Sequence, residues 1–295
     1  MQFFREQGQT TAFSRWGAEQ NPAVVLLMGL GLPGGCWPPV LIEHLVVQGF
    51  QVIVPDNRDA GASMHLSEEP VDQGDVLNGI LNAVIGRNVT QAKYALTDMA
   101  VDVVRLLDYL ALERVHVVGF SMGGMIAQVL AAHWPERVST LTSISSASGH
   151  VRTGLGKFSA IWSLIREPKD GGFEDYFVRV VKKLAGPLYQ PSEAELTFMK
   201  TCLSTETFDR QAMYRQLLAI LASGDRSSEL SLIEAPTLII HGRNDPLLPL
   251  SAGQECARLI RGARLWSIEG MGHQLPVKLM PRFASQIATH CQGNL

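Results

Sequence analysis

Two rhythms of apolar and polar positions divide this chain. Residues 1–16 alternate loosely about Gln7-Gly8-Gln9, the pattern of a hairpin. Ala23-Val24-Val25-Leu26-Leu27-Met28 is a near-continuous apolar run, as a strand buried on both faces requires. It empties into Gly29-Leu30-Gly31-Leu32-Pro33-Gly34-Gly35. Trp37 to Val47 then reads as a helix and Gln51 to Pro55 as a strand, which completes a βαβ unit. The polar stretch 56–63 is a loop at that strand's end; residues 64–93 are less regular, with a short helix expected at Val76 to Ile85. Leu96 to Leu112 carries Met99, Val103, Leu106, Leu107 and Leu110 near helical spacing, with Thr97 as its cap. Val115-His116-Val117-Val118 predicts a buried strand, Met122 to His133 a helix and Val138 to Ile144 another strand.

From about His150 to Glu229 the strand-like runs stop. Phe158 to Ile165, Phe173 to Leu184, Ser192 to Leu203 and Asp209 to Leu221 read as helices, punctuated by Pro168, Gly171-Gly172, Gly186-Pro187 and Pro191. The α/β rhythm returns with a strand from Pro236 to Gly242, a helix from Ser251 to Ile260, a strand from Ala263 to Ile268 and a helix from Leu279 to His290. The expected organisation is a core of residues 1–149 and 230–295 with a helical cap, residues 150–229, inserted over its site. These helices carry Phe158, Ile161, Trp162, Phe177, Val181, Leu196, Phe198, Met199, Met213 and Leu217, most of which pack the cap onto itself and the core. A cap so rich in aromatic residues and methionine should still have an apolar underside, without the sequence saying which of them line it.

Composition narrows the class. Of 295 residues 46% are hydrophobic and 18% charged, enough for a large core and too apolar for disorder. A formal charge of -3 with no basic block argues against nucleic acid and anionic membranes as partners. Cys36, Cys202, Cys256 and Cys291 lack metal-ligand or C-x-x-C spacing and read as reduced thiols of a cytoplasmic protein. No export signal is visible, and the longest apolar run, Ala23 to Leu32, is too short to span a bilayer.

The chemistry centres on Gly119-Phe120-Ser121-Met122-Gly123 between a strand and a helix. A sharp strand-to-helix turn strains its central residue and lifts the serine hydroxyl above the sheet, and glycines two positions either side remove colliding side chains. That is a nucleophile elbow. A serine hydroxyl needs an adjacent base. Asp245 and His273 follow in acid-then-base order, each directly after a strand, at the sheet edge where open α/β sheets place their sites. Of the other histidines, His241 reads as a satisfied core residue and His116 and His133 as structural; His44, His65, His150 and His290 have no acidic or nucleophilic context. A developing oxyanion needs donors. The backbone N–H groups of Met122 and Leu30, on the elbow helix and the glycine-rich loop, are the candidates.

Nearly the whole chain resembles the α/β-hydrolase superfamily. The matching positions are the elbow, Gly29-Leu30-Gly31, the turn from Asp56 to Ser63, Asp245 and His273. Asp56-Asn57-Arg58-Asp59 and the segment Ser121 to Gln128 resemble the carboxylesterase branch that includes the aclacinomycin methylesterases. Two positions depart from that pattern: Met28 where the family usually has histidine, and Asp59 where many members have glycine. Haloalkane dehalogenases and epoxide hydrolases of this fold carry aspartate in place of Ser121, so the resemblance argues against both. It implies a mostly parallel sheet flanked by helices and a serine carboxylesterase with no metal or organic cofactor. The substrate would be a small-molecule ester and the protein a monomer or homodimer. Carbon–carbon bond hydrolases of ring-cleavage diketones, lactonases and cofactor-free perhydrolases share the same triad and stay open.

Overall fold

Five strands of this chain are buried on both faces, which places them in mid-sheet under two layers of helices. The computed structural model describes residues 1–6, 8–67, 70–87, 89–166, 173–203 and 209–294, with 173–175 by their backbone. The strands are β1 (Gln2–Glu6), β2 (Gln9–Trp16), β3 (Ala23–Leu27), β4 (Gln51–Pro55), β5 (Val115–Phe120), β6 (Val138–Ile144), β7 (Thr237–Gly242) and β8 (Arg264–Ile268). The helices are α1 (Pro39–Val47), α2 (Gln73–Val84), α3 (Leu96–Tyr109), α4 (Met122–His133), α5 (Val151–Gly154), α6 (Phe158–Ile165), α7 (Phe173–Leu184), α8 (Glu193–Cys202), α9 (Arg210–Ser223), α10 (Ser227–Leu230), α11 (Leu250–Leu259) and α12 (Met280–Gln292).

The eight strands form one sheet in the order β1-β2-β4-β3-β5-β6-β7-β8. β1 and β2, and β2 and β4, pair antiparallel; every later pairing is parallel. The chain leaves β3 toward β4 on one side and then crosses to β5 on the other. The crevice at the carboxyl ends of β3 and β5 is therefore the topological switch point, where such sheets bind ligands.

Side-chain alternation sorts each central strand between two cores. Val25 and Leu27 of β3, with Val115 and Val117 of β5, pack with α3, α4 and α11. Val24 and Leu26, with Val118 and Phe120, face the other way and pack with α1 and α12. The six helices α5 to α10 stand between β6 and β7, and α9 packs back onto α2 and α3.

Several local expectations change. Thr97 is not a cap: it lies in the first turn of α3, whose entry is closed by Asp98 accepting from the Ala95 N–H at 2.7 Å. α2 begins three residues before Val76, because Asp72 and Asp75 form a reciprocal capping box. α8 and α9 start one residue later than their patterns imply, since Ser192 and Asp209 are their caps. Pro168, Gly171-Gly172 and the hairpin residue Gln7 lie outside the described residues. Cys36 and Cys202, far apart in sequence, meet where α8 packs on the turn at Gly34–Cys36, and the Cys202 thiol donates to the Gly35 carbonyl at 3.3 Å. Among the described residues no helix is long and apolar enough to cross a membrane.

Three buried histidines make stability depend on pH. His116, on β5, packs edge-on to Phe50 with its Nδ1 2.9 Å from Thr140 Oγ1. Burial, with His290 and Arg114 nearby, pushes its pKa from 6.5 down to about 4. Burial also lowers His241 and His290. Between those limits the unfolded chain binds more protons than the folded one, so stability rises with pH and is lost on acidification. Urea denaturation between pH 6.5 and pH 4 should show that loss, with up to ~3 kcal/mol of it from His116. His116→Gln should flatten the curve by a comparable amount, and an unchanged slope would show that His116 protonates as readily folded as unfolded.

Candidate active site

β5 ends at Phe120 and α4 begins at Met122, so one residue must make the whole turn. Ser121 makes it at φ 55 and ψ -118, a strained conformation for a side chain with a Cβ, of order ~1–3 kcal/mol. Its own hydrogen bonds hold it there: the Ser121 N–H donates to the Ile144 carbonyl at 2.8 Å and its carbonyl accepts from the Met125 N–H at 3.1 Å. The flanking glycines are steric necessities. A Cβ on Gly119 would lie 2.1 Å from the Gly123 carbonyl oxygen, and one on Gly123 would lie 2.0 Å from that of Leu27.

The structure brings the three sequence candidates into one hydrogen-bonded chain. His273 Nε2 lies 2.9 Å from Ser121 Oγ, and its Nδ1 lies 2.7 Å from Asp245 Oδ2. An ionised carboxylate only accepts, so Nδ1 carries the proton toward Asp245 and a neutral ring presents Nε2 as the acceptor for the serine hydroxyl. Asp245 stands in the turn after β7, where Oδ1 accepts from the N–H groups of Leu247 and Leu248 at 2.8 and 2.9 Å. His273 follows β8, tilts against the Phe120 ring and donates its backbone N–H to the Leu184 carbonyl of α7 at 2.8 Å. Ser121, His273 and Asp245 are 8%, 8% and 6% exposed. In such dry surroundings their mutual polarity is little screened.

The loop after β3 lies beside the elbow: a Cβ on Gly29 would sit 3.3 Å from Ser121 Cβ. Among the described residues neither the Leu30 nor the Met122 N–H has an acceptor within the protein. At Met122 this follows from its place in the first turn of α4.

Several supporting residues were not evident from the sequence. The Asn57 amide donates to the Met28 carbonyl at 2.9 Å, and Asp56 accepts from the Gly34 and Ala62 N–H groups. Asp59, at φ 61, takes two bonds from Arg215 of α9 at 2.9 and 2.7 Å and one from the Tyr94 hydroxyl at 2.8 Å. Burial and that carboxylate raise the Tyr94 pKa, keeping the phenol protonated as a donor. Arg58 turns away from the site, forking onto Asp102 at 2.6 and 2.7 Å.

The remaining histidines divide. His241 is buried beneath Asp245, with Nε2 2.8 Å from the Leu248 carbonyl and, among the described residues, no partner for Nδ1. His133 and His150 have acidic partners that sequence distance hid: His133 lies 3.0 Å from Glu229 and His150 3.7 Å from Glu255.

A cavity of about 370 Å³ opens over Ser121 and His273. Met28 and Phe120 line it from the core, and Ile161, Phe177, Phe198 and Met213 from the helices between β6 and β7. Phe158 and Trp162 stack on each other at the surface. Among the described residues the cavity lining beyond the Ser–His pair includes the polar side chains of His150, Tyr176, Glu195 and Gln274, and no Lys or Arg. Arg152 and Arg179 are exposed outside it. Among the described residues no cluster of three His, Cys, Asp or Glu could hold a metal ion.

Comparison with known proteins agrees in one direction. A family profile described as the alpha/beta hydrolase fold matches residues 22–277. Rhodomycin D methylesterase of Streptomyces peucetius is 27% identical, over 94% of this chain and 93% of its own length. The 2-hydroxy-6-oxononadienedioate/2-hydroxy-6-oxononatrienedioate hydrolase 1 of Pseudomonas putida is 28% identical, over 86% and 82%. Among solved structures, a meta-cleavage product hydrolase of Pseudomonas fluorescens superposes with a TM-score of 0.75 at 18% identity, covering 99% of this chain and 98% of that one, a likeness of fold alone.

The Asp59–Arg215 pair, 0% and 1% exposed at its side chains, ties α9 to the turn after β4. Removing one partner strands a buried charge, so Arg215→Met should lower the unfolding free energy by about 3–5 kcal/mol in urea denaturation. Adding Asp59→Asn to that variant should restore at least about half of the loss. A single-variant loss below ~1 kcal/mol would show that the pair does not hold the turn.

Proposed function

This chain belongs to the α/β-hydrolase fold family, and we propose that it is a serine hydrolase of carboxylic esters whose substrates are small to medium in size and largely apolar. One observation carries the reading: the hydrogen-bonded chain Ser121–His273–Asp245 ends at the floor of an apolar cavity. His273 takes the proton from Ser121 as the hydroxyl attacks the ester carbonyl. Asp245 holds the imidazole in the tautomer that accepts and stabilises the imidazolium that forms. The N–H groups of Leu30 and Met122 receive the oxyanion. The alcohol leaves with the proton from His273, and water, activated by the same ring, cleaves the acyl-enzyme.

Residues 150–229 act as the cap. Their underside supplies much of the cavity wall, and α7 fixes the His273 backbone. The methylesterase likeness supports ester hydrolysis. The dienedioate hydrolase likeness points to a doubly carboxylated substrate, whose charges would need cations that no described residue offers to this cavity. The ester reading is therefore preferred. The volume, about 370 Å³, lies in the range of small-molecule sites, ~300–1,000 Å³.

Ser121→Ala and His273→Ala should each lose roughly 10⁴–10⁶ in kcat while unfolding at nearly the wild-type temperature, and a fluorophosphonate probe should label Ser121 alone. Labelling elsewhere, or full activity in Ser121→Ala, sinks the assignment. Each methylene buried in the cavity contributes up to ~0.8 kcal/mol, about fourfold, so p-nitrophenyl esters should improve from acetyl to medium chains and fall once the cavity is filled. Equal rates for acetyl, hexanoyl and carboxylate-bearing acyl groups would refute the apolar-pocket claim; a strong preference for a ring-cleavage diketone would replace ester hydrolysis with carbon–carbon cleavage.

A further inference from the structure

The loop that carries the Leu30 N–H is gripped from the cap. Gly31 sits at φ 69 and donates its N–H to Gln216 Oε1 at 2.7 Å. Met213, one turn earlier on α9, packs so closely on Gly31 that a Cβ there would lie 3.0 Å from Met213 Cγ. Residues three apart share a helix face, so one stripe of α9 supplies both contacts. The Gln216 amide also donates to the Arg58 carbonyl at 2.7 Å, and the neighbouring Arg215 forks onto Asp59. Gln216 is 0% exposed, so both bonds are made without competing solvent. The cavity wall on this helix is Met213, Leu217, Ile220 and Leu221, and Gln216 stands behind it.

On the serine-hydrolase reading above, we infer that Gln216 is a positioning residue for the oxyanion site: it holds the Leu30–Gly31 peptide in register with Ser121, and so makes catalysis depend on how α9 is seated. The physical reason is local. A glycine in the left-handed region has a wide choice of neighbouring wells, and its N–H donates to Gln216 of α9. Fixing that N–H fixes the plane of the peptide after Leu30 and limits where the Leu30 N–H can point. Oxyanion donors act only when pre-aimed at the developing charge, within a few tenths of an ångström. Met28 has no polar group with which to buttress the loop where the family usually has histidine; Asn57 holds the Met28 carbonyl from the core and Gln216 holds Gly31 from the cap.

The test compares wild type, Gln216→Met and Gln216→Glu on a p-nitrophenyl ester. Two inhibitors of equal chain length are added: a trifluoromethyl ketone, which forms an oxyanion adduct with Ser121, and an unreactive amide, which does not. Endpoint fluorophosphonate labelling counts folded sites and normalises kcat. Gln216→Met should lower kcat roughly 10- to 100-fold, less than the loss of a whole oxyanion donor, with KM and amide affinity changed under about threefold and ketone affinity lowered in step with kcat. Gln216→Glu keeps an acceptor for Gly31 and, protonated, a donor for Arg58, so it should recover at least about tenfold of the loss; it also serves if the methionine variant does not fold. Unchanged kcat and ketone affinity, or equal weakening of ketone and amide, overturns the inference. Absence of Ser121 labelling in wild type instead overturns the hydrolase reading beneath it.

Discussion

Everything at this site follows from one backbone constraint: a single residue must turn the chain from a fully buried strand into a fully buried helix. Ser121 meets it at positive φ, and Gly119 and Gly123 make it sterically possible by letting β5, α4 and the Leu27 carbonyl come together. The strain is sustained because the elbow is over-determined by the Ile144 carbonyl, by the first bond of α4 and by the core on either face of β5. Rigid placement of the hydroxyl is what gives two distant loops, after β7 and β8, a fixed point to converge on. Among the described residues it also leaves the Met122 N–H, in the first turn of α4, without an acceptor.

The site is held from two sides that differ in kind. The core supplies the elbow and the turn after β4, where Asp56 and Asn57 tie neighbouring loops by short polar bonds. The region between β6 and β7 reaches in through backbone and buried polar groups: the Leu184 carbonyl on the His273 N–H, Gln216 on Gly31, and Arg215 on Asp59. A buried ion pair adds little net stability over an apolar pair of the same shape, yet it tolerates only one geometry. Asp59 at φ 61 would be a poor choice for stability alone. The pair ties α9 to the turn after β4, and the residue next to Arg215 is the one bonded to Gly31 in the loop after β3.

The sheet, the elbow and the acid–base order were legible because each has a local signature. β-branched runs mark β3 to β7, and glycine spacing about Ser121 marks the turn. Asp245 and His273 each directly follow a strand. Helix starts were less legible: Thr97 resembled a cap, but a carboxylate one residue later, at Asp98, closes the helix through the Ala95 N–H. The supporting polar contacts left no trace. Gln216 and Gly31 are separated by 185 residues, and nothing in an amphipathic helix pattern distinguishes a glutamine facing a loop from one facing solvent. The same blindness hid Glu255 from His150 and Asp102 from Arg58. Which of the cap's aromatic residues face the cavity was not legible, because aromatic content marks an apolar region but not which side of a short helix is covered; Phe158 and Trp162 stack at the surface.

The absence of Lys and Arg among the described residues lining the cavity bears on how selectivity arises. On the proposed ester-hydrolase reading, with no cation to anchor an acid, orientation would come from the reacting carbonyl itself, held between Ser121 and the N–H groups of Leu30 and Met122. Affinity would then come from apolar contact with walls that belong partly to the sheet side and partly to the helices between β6 and β7. Apolar contact is non-directional, so it discriminates by length and shape, a few-fold per methylene, and not by functional group. On that same proposed reading the chemical discrimination would concentrate in the loop after β3, the part of the site secured by Asn57 and Gln216. A substrate that unseats α9 to enter the cavity would also disturb Gly31, so size selection and carbonyl activation would then be the same mechanical event.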